Sequence, residues 1–516
     1  MGEVLDVRGR RDFYPRVMRV LRVTGLVLAA GLVAALAGGC GTESGAKGSG
    51  AAQPIAWQAC PDNIGAAVQC ADIEVPLDWR KPEGEKITVG IGRLPAADPA
   101  RRIGSLIFDP GGPGGSGVGM IAGAAAYPGL FPAELHARFD LIGFDPRGIG
   151  TSKPAMRCDP ELANRRPDVF VADQAAFDAL VESNKAFGAS CRRLTGPLLD
   201  HMDTVAVARD LDVVRQRLGG EPLNYVGVSY GSEIGLEYAR LFPNGSRALV
   251  LDGALDHSLP PSATHVYEAT AFENGLGRFA AWCRESADCA LRGDDASAVV
   301  RDLVARTRQA PLPAPTCAIS KQCAPQVRTG DLLAGIQGSL LFKSAVGPVA
   351  GWVGLATALD HARAGDASDL SPPVLTDTKT AGLGVACAEY RADFTTYAAL
   401  KTQQILAAAI APTTLGGTES YSYLAHCLGW PAEFTNPPHT ATAKPTITPL
   451  IVNSTHDPST PYGWAQLMST QIPNAVLLTR EGDGHTSFFL PGRTREAIIE
   501  YLIDGTVPAP GTVLTD

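Results

Sequence analysis

Apolar residues recur along this chain with two alternating spacings, beginning near residue 86. Ile103 to Phe108 is a short apolar run ending in Asp109-Pro110 and a glycine-rich turn, which predicts a buried strand followed by a loop. Phe139 to Phe144 repeats the pattern and ends in Asp145-Pro146-Arg147-Gly148. From Thr204 to Leu218 the spacing changes: Val207, Leu211, Val214 and Leu218 fall at three- and four-residue steps, predicting an amphipathic helix stopped by Gly219-Gly220. Leu223 to Val228 reads as a strand, Ser232 to Leu241 as a helix and Ala248 to Leu251 as a strand. This rhythm predicts a parallel sheet covered by helices. It breaks between about 259 and 444, where the chain is alanine-rich, helix-prone and punctuated by proline. Strands then return at Pro449 to Asn453 and Ala475 to Thr479, with a helix from about Arg493 to Leu502. The expected architecture is a mostly parallel sheet with a large, mainly helical insertion.

The first 39 residues read as an export signal. Arg16, Arg19 and Arg22 precede an apolar run from Val23 to Ala37, which is of signal-peptide length and short for a membrane span. LAGGC then resembles a bacterial lipobox, making Cys40 the expected lipidated first residue of the mature chain. Met18 is an alternative start, since MRVLRVTGLVLAAG is a complete signal by itself. Residues 40–55 are small and polar, as a flexible tether would be. Lipid chains on Cys40 would anchor the protein to the cell membrane; conventional cleavage and secretion is the alternative.

Composition narrows the choices. A net charge of −9 argues against a nucleic-acid partner. Ten cysteines remain beyond Cys40, an even number suited to disulfides in an oxidising compartment. Pairing of sequence neighbours would join 60–70, 158–191, 283–289, 317–323 and 387–427, one of many possible connectivities. No CxxC pair occurs and the nine histidines lack metal spacing, so no metal and no other cofactor is expected.

Gly227-Val228-Ser229-Tyr230-Gly231 is the one GxSxG in the chain. It follows a predicted strand and opens a predicted helix, the setting of a nucleophile elbow. A serine hydroxyl attacks carbonyls only when an imidazole takes its proton, and the imidazole needs an acid to orient it. Asp457 and His485 each follow a later predicted strand, in the chain order serine, acid, histidine. Ser229, Asp457 and His485 are therefore the expected catalytic residues. His456 and Asp483 read as loop residues, and Asp252 is a weaker candidate for the acid. The glycine-rich stretch from Asp109 to Gly117 lets bare backbone approach a carbonyl oxygen, so the N–H groups of Gly112 and Tyr230 are the expected oxyanion hole.

Taken together, LNYVGVSYGSEIGLEYARLFP, DPGGPGGSG, GFDPRGIGTS, ARDLDVVR, Cys427-Leu428-Gly429-Trp430-Pro431 and HDPSTPYGWA resemble the tripeptidyl aminopeptidase-like serine hydrolases of actinobacteria, over roughly residues 56 to 505. The resemblance implies an α/β-hydrolase fold with a helical lid: a first core part at 56–258, the lid insertion at 259–444 and a C-terminal core part at 445–516. It implies peptide substrates with a free N-terminus. It also points to Glu389, two residues after Cys387, as the carboxylate that holds the substrate amine, although the family more commonly has Asp there. The alternatives are a carboxylesterase with the same triad and a non-catalytic peptide-binding lipoprotein. Oligomeric state is not readable.

Overall fold

The computed structural model describes residues 54–516, except 62, 63, 65, 66, 128, 166, 348 and 377–379. The expected signal segment and Cys40 lie outside the described residues. Ten strands form one sheet: β1 (Gln58–Ala59), β2 (Gln69–Pro76), β3 (Lys86–Leu94), β4 (Gly104–Asp109), β5 (Phe139–Asp145), β6 (Leu223–Val228), β7 (Ser246–Asp252), β8 (Leu450–His456), β9 (Val476–Asp483) and β10 (Val513–Thr515). Their order is β1-β2-β3-β5-β4-β6-β7-β8-β9-β10. The first three strands and the β3–β5 pair are antiparallel; every other pair is parallel.

Alternate residues of the central strands feed two different cores, as the two-residue period of a strand requires. Tyr225, Leu249, Leu251 and Ile451 point into one core, while Val226, Val250, Leu450 and Val452 point into the other. Both faces are covered, so β6 is buried at every position. The first core is closed by α3 (Thr204–Arg217) and α4 (Tyr230–Leu241), the second by α1 (Gly117–Ala126) and α13 (Arg493–Asp504).

Between β7 and β8 the chain builds a helical lid from α5 (Pro261–Glu285), α6 (Ala296–Thr307), α7 (Thr329–Leu340), α8 (Gly351–Ala364), α9 (Ala381–Glu389), α10 (Tyr397–Ile410) and α11 (Glu419–His426). Helices α5 to α8 bury their own apolar cluster around Phe279, Leu303, Leu333 and Leu359. The lid also takes a wall from outside this stretch. Helix α2 (Gln174–Thr195) packs Phe177 and Leu180 against Tyr421 and Leu424 of α11. Asn184 Nδ2 donates to the carbonyls of Ala425 (2.9 Å) and Leu428 (3.1 Å). After β8, α12 (Tyr462–Gln471) leads back to β9. The five cysteine pairs are the sequence-neighbour pairs. Cys387–Cys427 ties α9 to the end of α11; α11 and Tyr390, the residue after α9, border the cavity described below.

Two motifs far apart in sequence meet in a buried ion pair. Arg147, after β5, and Asp210, on α3, are both wholly buried. Arg147 Nε donates to Asp210 Oδ2 (2.7 Å) and Nη2 to Oδ1 (2.6 Å). Its remaining N–H groups donate to the carbonyls of Pro76, Leu77 and His201, and Trp79 Nε1 donates to Asp210 Oδ1. Every guanidinium N–H is thus used. Replacing Arg147 alone with Met strands a buried carboxylate, so chemical unfolding of Arg147→Met should show a loss of about 3–5 kcal/mol. The double variant Arg147→Met/Asp210→Leu should recover most of it; no recovery would mean that the backbone carbonyls, and not the ion pair, dominate this site.

Candidate active site

Ser229 sits between the end of β6 and the start of α4 with φ 57° and ψ −124°. That left-handed backbone costs a non-glycine residue about 1–3 kcal/mol and persists only where surroundings enforce it. The enforcement is visible. Ser229 N–H donates to the Asp252 carbonyl (2.9 Å) at the end of β7, and its own carbonyl accepts from Ser232 N (2.8 Å) and Ser232 Oγ (2.5 Å). The turn is so tight that a Cβ on Gly227 would lie 2.1 Å from the Gly231 carbonyl oxygen. Glycine at that motif position is therefore a steric requirement.

Asp457 and His485 come together just past the ends of β8 and β9. His485 Nδ1 lies 2.8 Å from Asp457 Oδ2 and 3.1 Å from Thr460 Oγ1. Thr460 donates its hydroxyl proton to the same Oδ2 (2.8 Å), so Nδ1 faces two acceptors and carries the ring proton. Nε2 is left as the basic nitrogen. Asp457 Oδ1 accepts the N–H groups of Ser459 (2.9 Å) and Thr460 (2.8 Å), which aims the carboxylate. The imidazole lies over the end of β7, where a Cβ on Gly253 would be 2.8 Å from His485 Cε1. Ser229 is bonded to the neighbouring Asp252, so serine and imidazole share one strand end. Burial works against a charged imidazole, but the negative charges of Asp457, Asp252 and Glu419 outweigh it and hold His485 above its usual pKa.

The glycine-rich loop closes the opposite side. Gly111 adopts φ 76°, and a Cβ there would lie 2.8 Å from Tyr230 N. Tyr230 begins a helix, so its N–H has no intrahelical acceptor. Gly112 and Pro113 line the same cavity as Ser229. This geometry suits an oxyanion formed at Ser229, with backbone donors on one flank and an oriented base on the other.

The cavity above Ser229 has an empty volume of about 580 Å³. The lid supplies Pro261, Thr264 and Glu268 from α5 and Glu419, Ser420, Tyr423 and Leu424 from α11; the core adds Ser459, Thr460 and Trp464. Glu419 lies deep within the protein yet is exposed, because what it faces is the cavity. Burial and the nearby Glu268 push its carboxyl up to about 7. Glu268 is also pushed up by burial, while accepting from Gln337 Nε2 (2.7 Å) and Ser420 N (2.9 Å).

Glu389 is not brought to the cavity. Its carboxyl is fully buried and turns inward, accepting from Thr204 N at the first turn of α3 and from Asn436 Nδ2 (3.1 Å). The next residue, Tyr390, lines the cavity and donates its hydroxyl to Glu233. Burial raises both Glu389 and Glu233 to about 8. The physical reason is where the helix stops: Glu389 is the last residue of α9 and faces the core, while Tyr390 leaves helical geometry (φ −116°, ψ 81°) and turns to the cavity. Asp252 acts on the imidazole through its charge, while its Oδ2 accepts the N–H groups of Ser487 (2.8 Å) and Phe488 (2.7 Å) and steadies the histidine loop. His456 bonds Asn274 instead, and Asp483 pairs with Arg278 and Lys343 of the lid. Sequence reasoning missed Thr460, Glu268 and Glu419. Thr460, three residues after Asp457 in a Pro-rich turn, carried a signal; the two glutamates carried none, because only the packing of α5 against α11 puts them in one place.

A family model described as "TAP-like protein" matches residues 412–514, and one described as "alpha/beta hydrolase fold" matches residues 104–316. Serine protease Hip1 of Mycobacterium tuberculosis is 31% identical over 487 residues, covering 89% of this chain and 90% of its own. Carboxylesterase B of the same species is 31% identical over 475 residues, covering 88% of each. Tripeptidyl aminopeptidase of Streptomyces lividans is 30% identical over 455 residues, covering 83% and 80%. Five disulfides in this chain agree with an extracytoplasmic setting, and no described helix is long and apolar enough to cross a membrane. An elbow serine at the centre of such a sheet, together with relatives matched over most of the chain, makes this protein a member of the TAP-like serine hydrolases of the α/β-hydrolase fold.

Proposed function

We propose that this enzyme is a serine aminopeptidase that releases short peptides, of three residues by analogy with its Streptomyces relatives, from free N-termini. The observation that carries the reading is the charge of the cavity. Among its described lining residues the charged side chains are Glu268 and Glu419, with no Lys or Arg. Two carboxylates facing a largely apolar space favour a ligand that brings a positive end, which a free amino terminus does and a neutral ester does not.

In this mechanism Ser229 Oγ attacks the scissile carbonyl carbon while His485 Nε2 takes its proton, and Asp457 holds the resulting imidazolium. The tetrahedral oxyanion accepts from the N–H groups of Tyr230 and Gly112, each worth about 2.7–4 kcal/mol of transition-state stabilisation. The imidazolium gives its proton to the leaving nitrogen, the C–N bond breaks and the acyl group stays on Ser229. Water, deprotonated by His485, then attacks the ester and frees the acid. No metal or organic cofactor enters these steps. The substrate ammonium sits against Glu419 and Glu268, a different anchor from Glu389. Export with lipidation at Cys40 completes the proposal, placing the enzyme on the outer side of the cell membrane through its lipid.

Ser229→Ala should abolish both turnover and fluorophosphonate labelling while leaving the circular dichroism spectrum unchanged. Retained labelling would remove Ser229 as nucleophile, and a wild type that cannot be labelled would favour a non-catalytic binding protein. Free-amine tripeptide anilides should be cleaved and their N-acetylated forms should not; equal cleavage of both, together with fast ester hydrolysis, would favour the carboxylesterase reading. Glu419→Gln should lower kcat/KM for the free-amine substrate by about 10- to 100-fold, the loss of one charged hydrogen bond. Glu389→Gln should retain the preference for free amines.

The pH profile carries a sign. Glu419 ionises at about 7 and an α-amine loses its proton near 7.7–8.0, so KM should be lowest between about 7 and 8. The acid limb of kcat/KM reports neutral His485 and should lie above 6.5. Removing the negative charge of Glu419 destabilises the imidazolium, so the limb should move down in Glu419→Gln; an unmoved limb and unmoved KM would reject Glu419 as the anchor.

A further inference from the structure

The carboxyl of Asp109 has no part in the mechanism above, yet it lies directly behind the oxyanion hole. It ends β4 and is buried. Its Oδ1 accepts the N–H of Gly111 (2.8 Å), the residue before the proposed donor Gly112. A Cβ on Gly231 would lie 2.7 Å from the Asp109 carbonyl oxygen and 3.0 Å from its Oδ1, so Asp109 also fills the space that the last glycine of the elbow leaves. It therefore touches both flanks of the hole, the glycine-rich loop and the start of α4. Its other oxygen, Oδ2, is buried without a hydrogen-bond partner among the described residues. Asp145, at the end of the neighbouring strand β5, gives the contrast. Its Oδ1 accepts from Ser116 Oγ (2.7 Å) and Val118 N (3.1 Å), and its Oδ2 from Thr151 N (2.7 Å) and Thr151 Oγ1 (2.9 Å). Two of those donors belong to the cap and first turn of α1, where a negative charge is favoured.

A buried carboxylate is tolerated where several donors hold its charge, and one donor with an orphaned oxygen does not suffice. Burial and the charge of Asp145 accordingly push the carboxyl of Asp109 up to about 7, and no Lys or Arg among the described residues offsets them. The other titratable groups around it are Tyr225 of β6, whose hydroxyl donates to the Gly231 carbonyl (2.8 Å), and Tyr230, whose hydroxyl bonds Thr204 Oγ1 (2.6 Å). Burial raises both far above the usual tyrosine range, so both stay neutral. The charges of Glu389 and Glu233 reach Tyr230, and so, more weakly, does that of Asp109. We propose that Asp109 is a positioning residue of the oxyanion hole that works only as the neutral acid: its Oδ1 holds the glycine-rich loop, and its uncharged state keeps a like charge away from the oxyanion. This rests on the acyl-transfer mechanism above. The oxyanion develops its charge in front of the donors that Asp109 backs, so a carboxylate at Asp109 opposes it.

Two variants separate the charge from the hydrogen bond. Asp109→Asn copies the neutral acid permanently, whereas Asp109→Ala removes the loop's acceptor along with the charge. The readout is the rate of inactivation by a fluorophosphonate, which carries no amino group and so leaves the ammonium anchor out of the measurement. Wild type should slow as the pH rises through about 7. Asp109→Asn should match it within about twofold near pH 6 and exceed it by about tenfold near pH 9, the effect of one like charge in a buried site. Asp109→Ala should lose the same alkaline decline but be slower at every pH. An equal decline in wild type and Asp109→Asn would overturn the proposal and assign the limb to Glu233 or Glu389. An Asp109→Asn no faster than Asp109→Ala would overturn it too. In both cases labelling that persists in these variants and vanishes in Ser229→Ala leaves the acyl-transfer mechanism standing, whereas a wild type that is never labelled removes that mechanism itself. Thermal melting gives a reading independent of activity. The stability that a neutral Asp109 contributes is full below the unfolded value of about 3.9 and is lost as pH rises through about 7. The Tm of Asp109→Asn should therefore gain on that of wild type across this window, and a constant difference would overturn the neutral acid.

Discussion

The backbone of Ser229 is held in a conformation that serine does not choose, and the rest of the site depends on that hold. Its φ of 57° costs about 1–3 kcal/mol, offset by a position at the centre of a ten-stranded sheet with both faces buried. Strand β4 flanks β6 on one side and β7 on the other, and the last residue of β7 accepts the Ser229 N–H. A slip of β6 by one residue would exchange Tyr225 and Val226 between the two cores. The register is thus as strongly specified as the cores themselves, and with it the place of the hydroxyl.

The histidine has two supports of different origin. From the core, Asp252 accepts two N–H groups of the loop after His485, while Asp457 and Thr460 fix the ring. From the lid, the Leu341 carbonyl takes the His485 N–H, and Arg278 and Lys343 pair with Asp483 two residues before it. The lid is therefore more than a cover over the cavity: it holds the His485 loop as well as supplying carboxylates. Buried acids are similarly divided. Glu389 and Glu233 sit behind the elbow, joined to the N-terminus of α3 and to Tyr390, whereas Glu268 and Glu419 line the cavity above Ser229. Four glutamates within one region serve two different ends.

Much of the core was legible from local pattern. The runs at 103–108, 139–144, 223–228, 248–251, 449–453 and 475–479 became β4 to β9: the third kept both bounds, and the other five strands run one to four residues further at their C-terminal ends. Buried parallel strands are continuous apolar runs, and such runs are visible without any partner. The GxSxG turn was legible at Gly227, whose clash with the Gly231 carbonyl arises within five residues, whereas the space Gly231 leaves is taken by Asp109 at the end of β4. Less visible were β2, half exposed on alternate residues, the three-residue β10, and α2, whose apolar face is completed only by α11.

The chain by itself determined which segments could be strands, where the backbone must turn sharply and which side chains had the chemistry of nucleophile, acid and base. Each of these is a short-range property, set by sterics and by the functional groups themselves. Packing decided the rest. The direction of Glu389 followed from which face of α9 met α3, and the meeting of Glu268 with Glu419 from the crossing of α5 and α11, helices separated by more than a hundred residues. Contacts at that range depend on how two apolar faces fit, and no local spacing encodes the fit.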